Sequence, residues 1–369
     1  MQTTKLQDLM RAATRMTQTG NLQEATQNIQ QMLKQAAGAA GMGNLAAGFP
    51  DLGTATAPVR PASASDTVLD GCVFELNGDP ATVAPAHPTN AGRFVAGRHS
   101  AAGRTLDYKL YVPANSAGKA MPLVVMLHGC TQDPDDFAAG TGMNALADEQ
   151  GFLVLYPAQS QQANPSRCWN WFKHNHQRRG AGEPAVIASL TQKVMAEHGV
   201  DTRRVYVAGL SAGGAMAAIL AQTYPELYAA AGVHSGLPAG AARDMPGAFA
   251  VMKSGVSSAG TPVSAAGSQP VPTIVFHGDR DETVHPLNGE QLMAAARRHG
   301  PARVEQGVSP QGRRYTRSVF GADAEAEHWL LHGAGHAWSG GRAAGSYTDA
   351  TGPDASREML RFFNEHPRR

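Results

Sequence analysis

A short glycine-rich segment, residues 205–216 (VYVAGLSAGGAM), constrains the fold of this chain more than any other. Its first part alternates β-branched, aromatic and small side chains, which predicts a strand over Val205–Leu210. The Ala- and Met-rich part that follows predicts a helix over 212–224. A Gly-x-Ser-x-Gly turn that joins a strand directly to a helix must be sharp, and it strains the backbone of its serine. The segment therefore predicts a strand-turn-helix unit with Ser211 at its tip.

Ser211 is the candidate nucleophile, because such a turn projects its hydroxyl away from the sheet. Gly209 and Gly213, two residues before and after it, have no side chain to obstruct the turn. Gly214 lets the helix pack closely on the strand. The N-terminus of that helix also offers free backbone N–H groups to an oxyanion. The alternative is a glycine-rich turn with an incidental serine, and the choice depends on whether the chain supplies catalytic partners.

Apolar strands alternate with helices over most of the chain. The first pair forms a predicted hairpin, with strands over 93–99 and 105–112. Further strands are predicted at 122–127, 152–156, 229–234, 273–276 and 328–332, and helices at 143–150, 185–198, 287–298 and 356–365. This order predicts an α/β fold, in which a mostly parallel sheet is covered by helices on both faces.

The N-terminal part of the chain has a different pattern. Residues 1–36 carry apolar side chains at helical spacing around a Thr-Gly-Asn break, which predicts a short helical hairpin. Residues 37–66 are rich in Ala, Gly, Pro and Thr and are predicted to be a flexible linker to a catalytic domain over 67–369. We interpret the hairpin as a helical cap or a contact between copies of the chain, with docking onto a partner as the alternative.

Composition argues against several classes of function. The net charge of +1 gives no electrostatic basis for binding nucleic acid or an acidic membrane. No apolar run approaches the ~20 residues of a membrane-spanning helix, and the N-terminus lacks the apolar core of a signal peptide, which by that test indicates a cytoplasmic protein. The three cysteines are too few for a disulfide scaffold and lack the spacing of a zinc site.

A serine nucleophile needs a base to take its proton and an acid to orient that base. The segment 276–284 (FHGDRDETV) follows a predicted strand and carries the acid candidates. Asp281 lies in the loop beyond the strand, where such an acid is expected, and we assign it this role. Asp279 is the alternative, and either carboxylate could instead pair with Arg280.

The base candidate lies in the segment 331–338 (LHGAGHAW). We assign His336, because the glycines around it let a late loop reach over Ser211. His328 and His332 are the alternatives, but alternation along a strand directs them into the sheet or onto its surface. The three histidines are four residues apart, as helical metal ligands would be, but the glycines interrupt any helix and no metal site is predicted.

The segment 127–132 (LHGCTQ) follows the first buried strand, where one backbone donor of an oxyanion hole is expected. We assign the two oxyanion donors to the amides of Cys130 and Ala212. The side chain of His128 is interpreted as bracing this loop rather than transferring protons. A nucleophilic thiol at Cys130 is the alternative, but the chain provides no second acid–base set for it.

A dense aromatic segment, 167–172 (RCWNWF), stands out in a chain with four tryptophans. Exposed aromatic residues usually indicate a binding surface. We therefore assign substrate binding to Trp169, Asn170 and Trp171, together with Trp338. The alternative is a loop whose rings pack against one another in a small satellite core.

Cys130 and Cys168 follow strands predicted at 122–127 and 152–156. The carboxyl ends of parallel strands lie at the same edge of a sheet, so a disulfide between these two cysteines is predicted, with Cys72 as the free thiol. Two reduced, separately buried thiols are the alternative, which a cytoplasmic location would favour.

Five segments in this order resemble the polyhydroxybutyrate depolymerase family of esterases: 127–132, 168–172, 209–216, 277–284 and 333–338. The resemblance spans about residues 90–366. It implies an α/β-hydrolase fold and hydrolysis of polyesters or short-chain esters through Ser211, Asp281 and His336. The motif order is that of the unpermuted, type 1 catalytic domain. The resemblance also favours an extracellular protein.

We therefore predict a cofactor-free serine esterase that acts on short-chain hydroxyalkanoate esters of the poly- or oligo-3-hydroxybutyrate type. The broader group is similar to feruloyl and acetyl-xylan esterases, which leaves these substrates as alternatives. A peptidase or thioesterase could use the same three residues. The N-terminal hairpin would then contact a second copy of the chain, a granule or the polymer. A docking module on an inactive hydrolase is the non-enzymatic alternative.

Overall fold

The computed structural model describes residues 92–114, 118, 120–255, 270–297, 300 and 302–368. The predicted hairpin over 1–36, the linker over 37–66 and Cys72 lie outside these residues, so the predictions for them stay predictions. Within the described part of the chain, no helix is long and apolar enough to cross a membrane.

A mixed sheet of ten strands forms the centre of the described structure. The strands among the described residues are β1 (Arg93–Ala101), β2 (Arg104–Val112), β3 (Leu123–Leu127), β4 (Leu153–Ala158), β5 (Val205–Leu210), β6 (Ala230–His234), β7 (Thr273–Gly278), β8 (Arg303–Val308), β9 (Arg314–Phe320), β10 (Ala326–Leu331), β11 (Trp338–Ser339) and β12 (Thr348–Asp349). The order in the sheet is β1-β2-β4-β3-β5-β6-β7-β10-β9-β8, while β11 and β12 pair separately.

The six central strands, from β4 to β10 in that order, run parallel. Antiparallel pairs extend the sheet at both ends, through β1 and β2 on one side and β8 and β9 on the other. Every residue of β3, β5 and β6 is buried, because helices cover both faces of the parallel part. The carboxyl ends of the parallel strands therefore meet at one edge, where the loops can bring distant side chains together.

The helices in the described part of the chain are α1 (Pro134–Thr141), α2 (Met143–Gln150), α3 (Gly182–His198), α4 (Ala212–Thr223), α5 (Met245–Ser254), α6 (Leu287–Leu292), α7 (Ala294–Arg297) and α8 (Ala355–Glu365), with a 3-10 turn at His174–His176. One apolar cluster packs α3 and α4 on the sheet. A second cluster packs α1, α2 and α8 on the opposite face. Together with the sheet order, these two layers make an α/β-hydrolase fold, as the sequence predicts.

Among the described residues, the predicted elements are confirmed with boundary shifts of a few residues, apart from one helix. The helix predicted over 287–298 is divided into α6 and α7, because the N–H of Met293 donates to the carbonyl of Glu290 in a tighter, 3-10-type turn. The described structure also contains α1, α5 and the β8–β9 hairpin, which were not predicted from the sequence. Strand β8 is mostly exposed, so it lacks the apolar pattern on which the strand predictions depend.

Candidate active site

The turn at Ser211 is so sharp that it needs a glycine on each side. Ser211 has a φ of 57° and a ψ of −119°, and its N–H donates to the carbonyl of His234 at 2.9 Å. A Cβ on Gly213 would lie only 2.0 Å from the carbonyl oxygen of Leu127, and one on Gly209 would lie 2.4 Å from the Gly213 carbonyl carbon. No larger residue fits either position without moving the backbone, which explains the Gly-x-Ser-x-Gly pattern.

The loop after β3 lies beside this turn. Strands β3 and β5 pair in parallel, so that Leu127 is opposite Gly209. A Cβ on Gly129 would lie 3.6 Å from Cβ of Ser211. Cys130 follows directly, and Ala212 is the first residue of α4. The two amides proposed as oxyanion donors therefore come from neighbouring loops at the edge of the sheet.

Asp281 and His336 are in direct contact. Oδ2 of Asp281 lies 2.7 Å from Nδ1 of His336, and Oδ1 accepts hydrogen bonds from the backbone N–H groups of Thr283 and Val284 at 3.0 and 2.8 Å. His277 lies beneath the carboxylate, with Nε2 at 3.5 Å from Oδ2.

These contacts decide the charge of the Asp281 carboxyl. Burial by itself raises its pKa, but hydrogen bonds with His277, His336 and the Val284 N–H outweigh burial and hold the pKa well below its usual range. Asp281 is therefore a carboxylate at neutral pH. Because Nδ1 of His336 faces this anion, Nε2 is the nitrogen that remains for a substrate or a hydroxyl group.

The alternative acid and base pair with each other. Asp279 Oδ2 lies 3.0 Å from Nδ1 of His332, and Oδ1 accepts the Gly333 N–H at 2.6 Å. The other ring nitrogen of His332 lies 2.8 Å from Oγ1 of Thr316 on β9. His328 lies inside β10 and is buried, and burial lowers its pKa to about 3. Among the described residues, no group of three His, Cys, Asp or Glu side chains could hold a metal ion.

A disulfide joins Cys130 to Cys168, with the two Cα atoms 4.2 Å apart. Next to it, the N–H of Thr131 donates to the carbonyl of Ser166 at 2.7 Å. The loop that carries the proposed oxyanion donor is therefore tied covalently to the aromatic segment.

The predicted role of the aromatic segment depends on its exposure, and that premise is wrong. Trp169, Asn170, Trp171 and Trp338 were predicted to bind substrate, but all four side chains are buried. Nε1 of Trp169 donates to the carbonyl of His128 at 3.1 Å, and Nε1 of Trp338 donates to Oγ of Ser356 at 3.0 Å. The polar atoms of Trp169 and Trp338 thus bond within the protein, and the packed-core alternative fits the burial of all four residues, while their role in substrate binding stays a prediction.

Two features at this edge were missed by the sequence analysis. Tyr347 is an exposed aromatic residue at a φ of 51°, and its hydroxyl lies 3.1 Å from Oγ1 of Thr131, in the loop after β3 that carries the proposed donor Cys130, hereafter the oxyanion loop. Glu183, in the first turn of α3, is buried and bonds to Gln159 and Asn170. A glutamate in a first helical turn is usually an exposed partner of the helix dipole, so no pattern in the sequence indicates this burial.

The chain is similar to known esterases. Residues 106–304 match the family described as Esterase PHB depolymerase. The chain is 38% identical over 215 residues to poly(3-hydroxyalkanoate) depolymerase C of Paucimonas lemoignei, which is 56% of this chain and 48% of the relative. It is also 38% identical over 137 residues to probable acetylxylan esterase A of Aspergillus fumigatus, which is 37% of this chain and 36% of the relative. The matches thus span about half or less of the length of these relatives.

Among solved structures, an acetyl xylan esterase from Aspergillus awamori has the same fold. Its TM-score is 0.59 at 21% sequence identity, and the alignment covers 73% of this chain and 99% of that structure. This likeness supports the fold, while the family match covers more than half of the chain. The chain therefore belongs to the esterase PHB depolymerase family, within the α/β-hydrolase superfamily.

Proposed function

We propose that this protein is a serine carboxylic ester hydrolase that acts on short-chain hydroxyalkanoate esters through Ser211, Asp281 and His336. The observation that carries the proposal is the 2.7 Å contact between Asp281 Oδ2 and His336 Nδ1. It gives a buried carboxylate and an imidazole the relation that a base and its orienting acid need. The strained turn at Ser211 and the family membership support the same reaction class.

In the proposed reaction, Oγ of Ser211 attacks the ester carbonyl while Nε2 of His336 accepts its proton. The anionic Asp281 stabilises the imidazolium that forms. The N–H groups of Cys130 and Ala212 bind the oxyanion of the tetrahedral intermediate. His336 then gives its proton to the leaving alcohol, which leaves an acyl-enzyme at Ser211. Water, activated by His336, releases the acid.

Two substrate classes are in question. The depolymerase relative favours a hydroxyalkanoate ester, while the acetylxylan esterase relative favours an acetylated sugar polymer as the second candidate. Turnover of p-nitrophenyl butyrate, 3-hydroxybutyrate oligomers, acetylated xylan, a feruloyl ester and a peptide anilide would separate them. We expect the highest kcat/KM on the 3-hydroxybutyrate oligomers. A preference of tenfold or more for acetylated xylan would replace the proposed substrate with the second one.

Ser211→Ala should lower kcat on p-nitrophenyl butyrate by about a million-fold, as loss of the nucleophile does in a triad enzyme. A fluorophosphonate probe should label the wild-type protein at Ser211 and leave the variant unlabelled. Activity of the variant within tenfold of wild type would exclude Ser211 as the nucleophile.

Asp281→Asn should lower kcat by about ten-thousand-fold, because an amide no longer favours the tautomer that leaves Nε2 free to accept a proton. Asp279→Asn is the matched control, since it changes a carboxylate two residues away that contacts His332 instead. If the Asp279 variant lost more activity than the Asp281 variant, the acid would be Asp279.

A further inference from the structure

A buried carboxylate outside the proposed triad lies in a hydrogen-bond network that extends to the oxyanion loop. Glu183 is 1% exposed, and both of its oxygens are occupied. Oε1 accepts hydrogen bonds from Gln159 Nε2 at 2.7 Å and from Asn170 Nδ2 at 2.5 Å. Oε2 accepts the N–H of Asn170 at 2.7 Å and lies 3.3 Å from Nδ1 of His176. A buried anion is costly unless it is hydrogen-bonded, and three hydrogen bonds and the His176 contact, made by three residues, hold this one in place.

These partners also keep Glu183 ionised. Burial by itself raises its pKa, but the interactions with His176, Asn170 and Gln159 outweigh it and hold the pKa below the usual value. Nε2 of His176 lies 3.1 Å from Nη2 of Arg104, which can only donate. Nδ1 of His176 therefore carries a proton that faces the carboxylate.

Gln159 connects this carboxylate to His128. Its backbone N–H donates to Nε2 of His128 at 3.1 Å, and its side chain also donates to the carbonyl of Cys168 at 3.1 Å. Nε2 of His128 thus accepts, and Nδ1 carries the proton that is donated to the carbonyl of Gly129 at 2.7 Å. Burial lowers the pKa of His128 to about 4, so the ring is neutral and keeps this tautomer at neutral pH.

The contact at the Gly129 carbonyl determines where the next N–H points. The C=O of Gly129 and the N–H of Cys130 belong to one planar peptide unit, and in a trans peptide they point in opposite directions. A carbonyl held by His128 therefore directs the Cys130 N–H away from that ring. Trp169 holds the preceding carbonyl, that of His128, by a bond of 3.1 Å. Rotation of the Gly129–Cys130 peptide would break the His128 contact.

We propose that Glu183 is a positioning residue of the oxyanion hole, which fixes the direction of the Cys130 N–H through Gln159 and His128. This inference rests on the proposed function, in which the Cys130 N–H is an oxyanion donor. Through Asn170 and Gln159, Glu183 also fixes the segment that carries Cys168, the disulfide partner of Cys130. Through these hydrogen-bond partners, Glu183 is linked to the segments that carry both cysteines of the disulfide.

Glu183→Gln tests the proposal with a side chain of the same shape. An amide accepts at one oxygen only, and its NH2 group would face donors that now bond to a carboxylate oxygen. An oxyanion donor acts in the transition state, and removing one outright costs about 10²–10³ in kcat. For a misdirected donor we expect kcat to fall by about tenfold to a hundredfold, with KM within about twofold of wild type. The affinity for a trifluoromethyl ketone analogue should fall by the same factor as kcat.

Glu327→Gln is the matched control. Glu327 on β10 is also fully buried, and it accepts hydrogen bonds from Arg317, Arg361 and Trp329. Its loss should lower the unfolding midpoint while kcat and the affinity for the ketone stay within about twofold of wild type. If both variants changed ketone affinity alike, the effect would be a general loss of structure and the proposal would be wrong.

Gln159→Met is a second variant, which removes the Nε2 donor but keeps the backbone N–H to His128. It should show the same parallel loss of kcat and ketone affinity, and it replaces Glu183→Gln if that variant does not fold. Unchanged kcat, or a change in KM alone, in the folded variants would overturn the positioning role. Failure of the proposed function is a separate result: wild-type protein would then neither hydrolyse the ester nor react with the fluorophosphonate at Ser211.

Discussion

Acid should destabilise this protein through histidines that are buried in the neutral form. His128, His234 and His328 are all buried. Burial, as the largest cause, lowers the pKa of His128 to about 4 and the pKa values of His234 and His328 to about 3. His234 stacks between the rings of Phe276 and Trp338, and its Nε2 accepts the N–H of Ser339 at 3.0 Å. A second proton on any of these rings would be added without water to solvate it.

The direction of the change in stability follows from how the folded and unfolded states bind protons. In the unfolded chain each of these histidines binds a proton as the pH falls through about 6.5. In the folded protein the same ring binds a proton only at a much lower pH. Stability is therefore unaffected above that pH and is lost as the pH falls below it. At pH 5 the loss is about 2 kcal/mol for each histidine, or about 6 kcal/mol for the three. Typical domains have only about 5–15 kcal/mol in total.

Asp281 does not offset this loss. Its pKa is lowered in the folded protein, so its contribution is present above the unfolded value near 4 and is lost only as the pH falls further. Between pH 8 and pH 5 the carboxylate is ionised in both states. The buried histidines should therefore dominate this range.

Urea unfolding at pH 8, 6 and 5, followed by tryptophan fluorescence, measures the effect. His328→Asn should reduce the difference in unfolding free energy between pH 8 and pH 5 by about 2 kcal/mol, whatever it does to stability at pH 8. His174→Asn, which changes an exposed histidine, should leave the difference unchanged. A wild-type difference below about 2 kcal/mol would show that the three rings are not held neutral as a group.

Two further predictions concern the loops around Ser211. Gly213→Ala should prevent folding or destabilise the protein by about 4 kcal/mol or more, since its Cβ would lie 2.0 Å from the Leu127 carbonyl oxygen. Gly103→Ala, at a φ of 68° with open space around it, should cost only about 1 kcal/mol. Equal unfolding midpoints for the two variants would contradict the steric argument. Unreduced protein in denaturant should react with a thiol reagent at one of its three cysteines. Reduction of the Cys130–Cys168 disulfide should lower the unfolding free energy by about 4 kcal/mol, because the bond closes a loop of 38 residues. Three reactive thiols before reduction would exclude the disulfide.

The sequence predicts the parallel sheet well because each buried strand is an uninterrupted apolar run, as Val205–Leu210 is. It predicts α1 and α5 less well, although each begins at a capping aspartate, Asp133 and Asp244, followed closely by a proline. Those signals were available, but neither helix has the broad apolar stripe that marks a core helix. The burial of Trp169 could not be predicted, because its partner is the carbonyl of His128, 41 residues away.

Local sequence patterns do not distinguish well between the two candidate acid–base pairs. Asp279 with His332 and Asp281 with His336 have the same chemistry, and both follow the neighbouring parallel strands β7 and β10. The side chains differ in surroundings: Asp281 is 0% exposed and Asp279 34%.

A third contact, made by His332, supports the proposed assignment of Asp281 and His336. His332 bonds to Thr316 on β9, which lies on the far side of β10 from β5 and Ser211 in the order of the sheet. Both ring nitrogens of His332 therefore have partners within the protein, while the Gly333 contact lets Asp279 tie the β7 and β10 loops together. Strand order is a property of the folded sheet, and no local pattern around the two aspartates contains it.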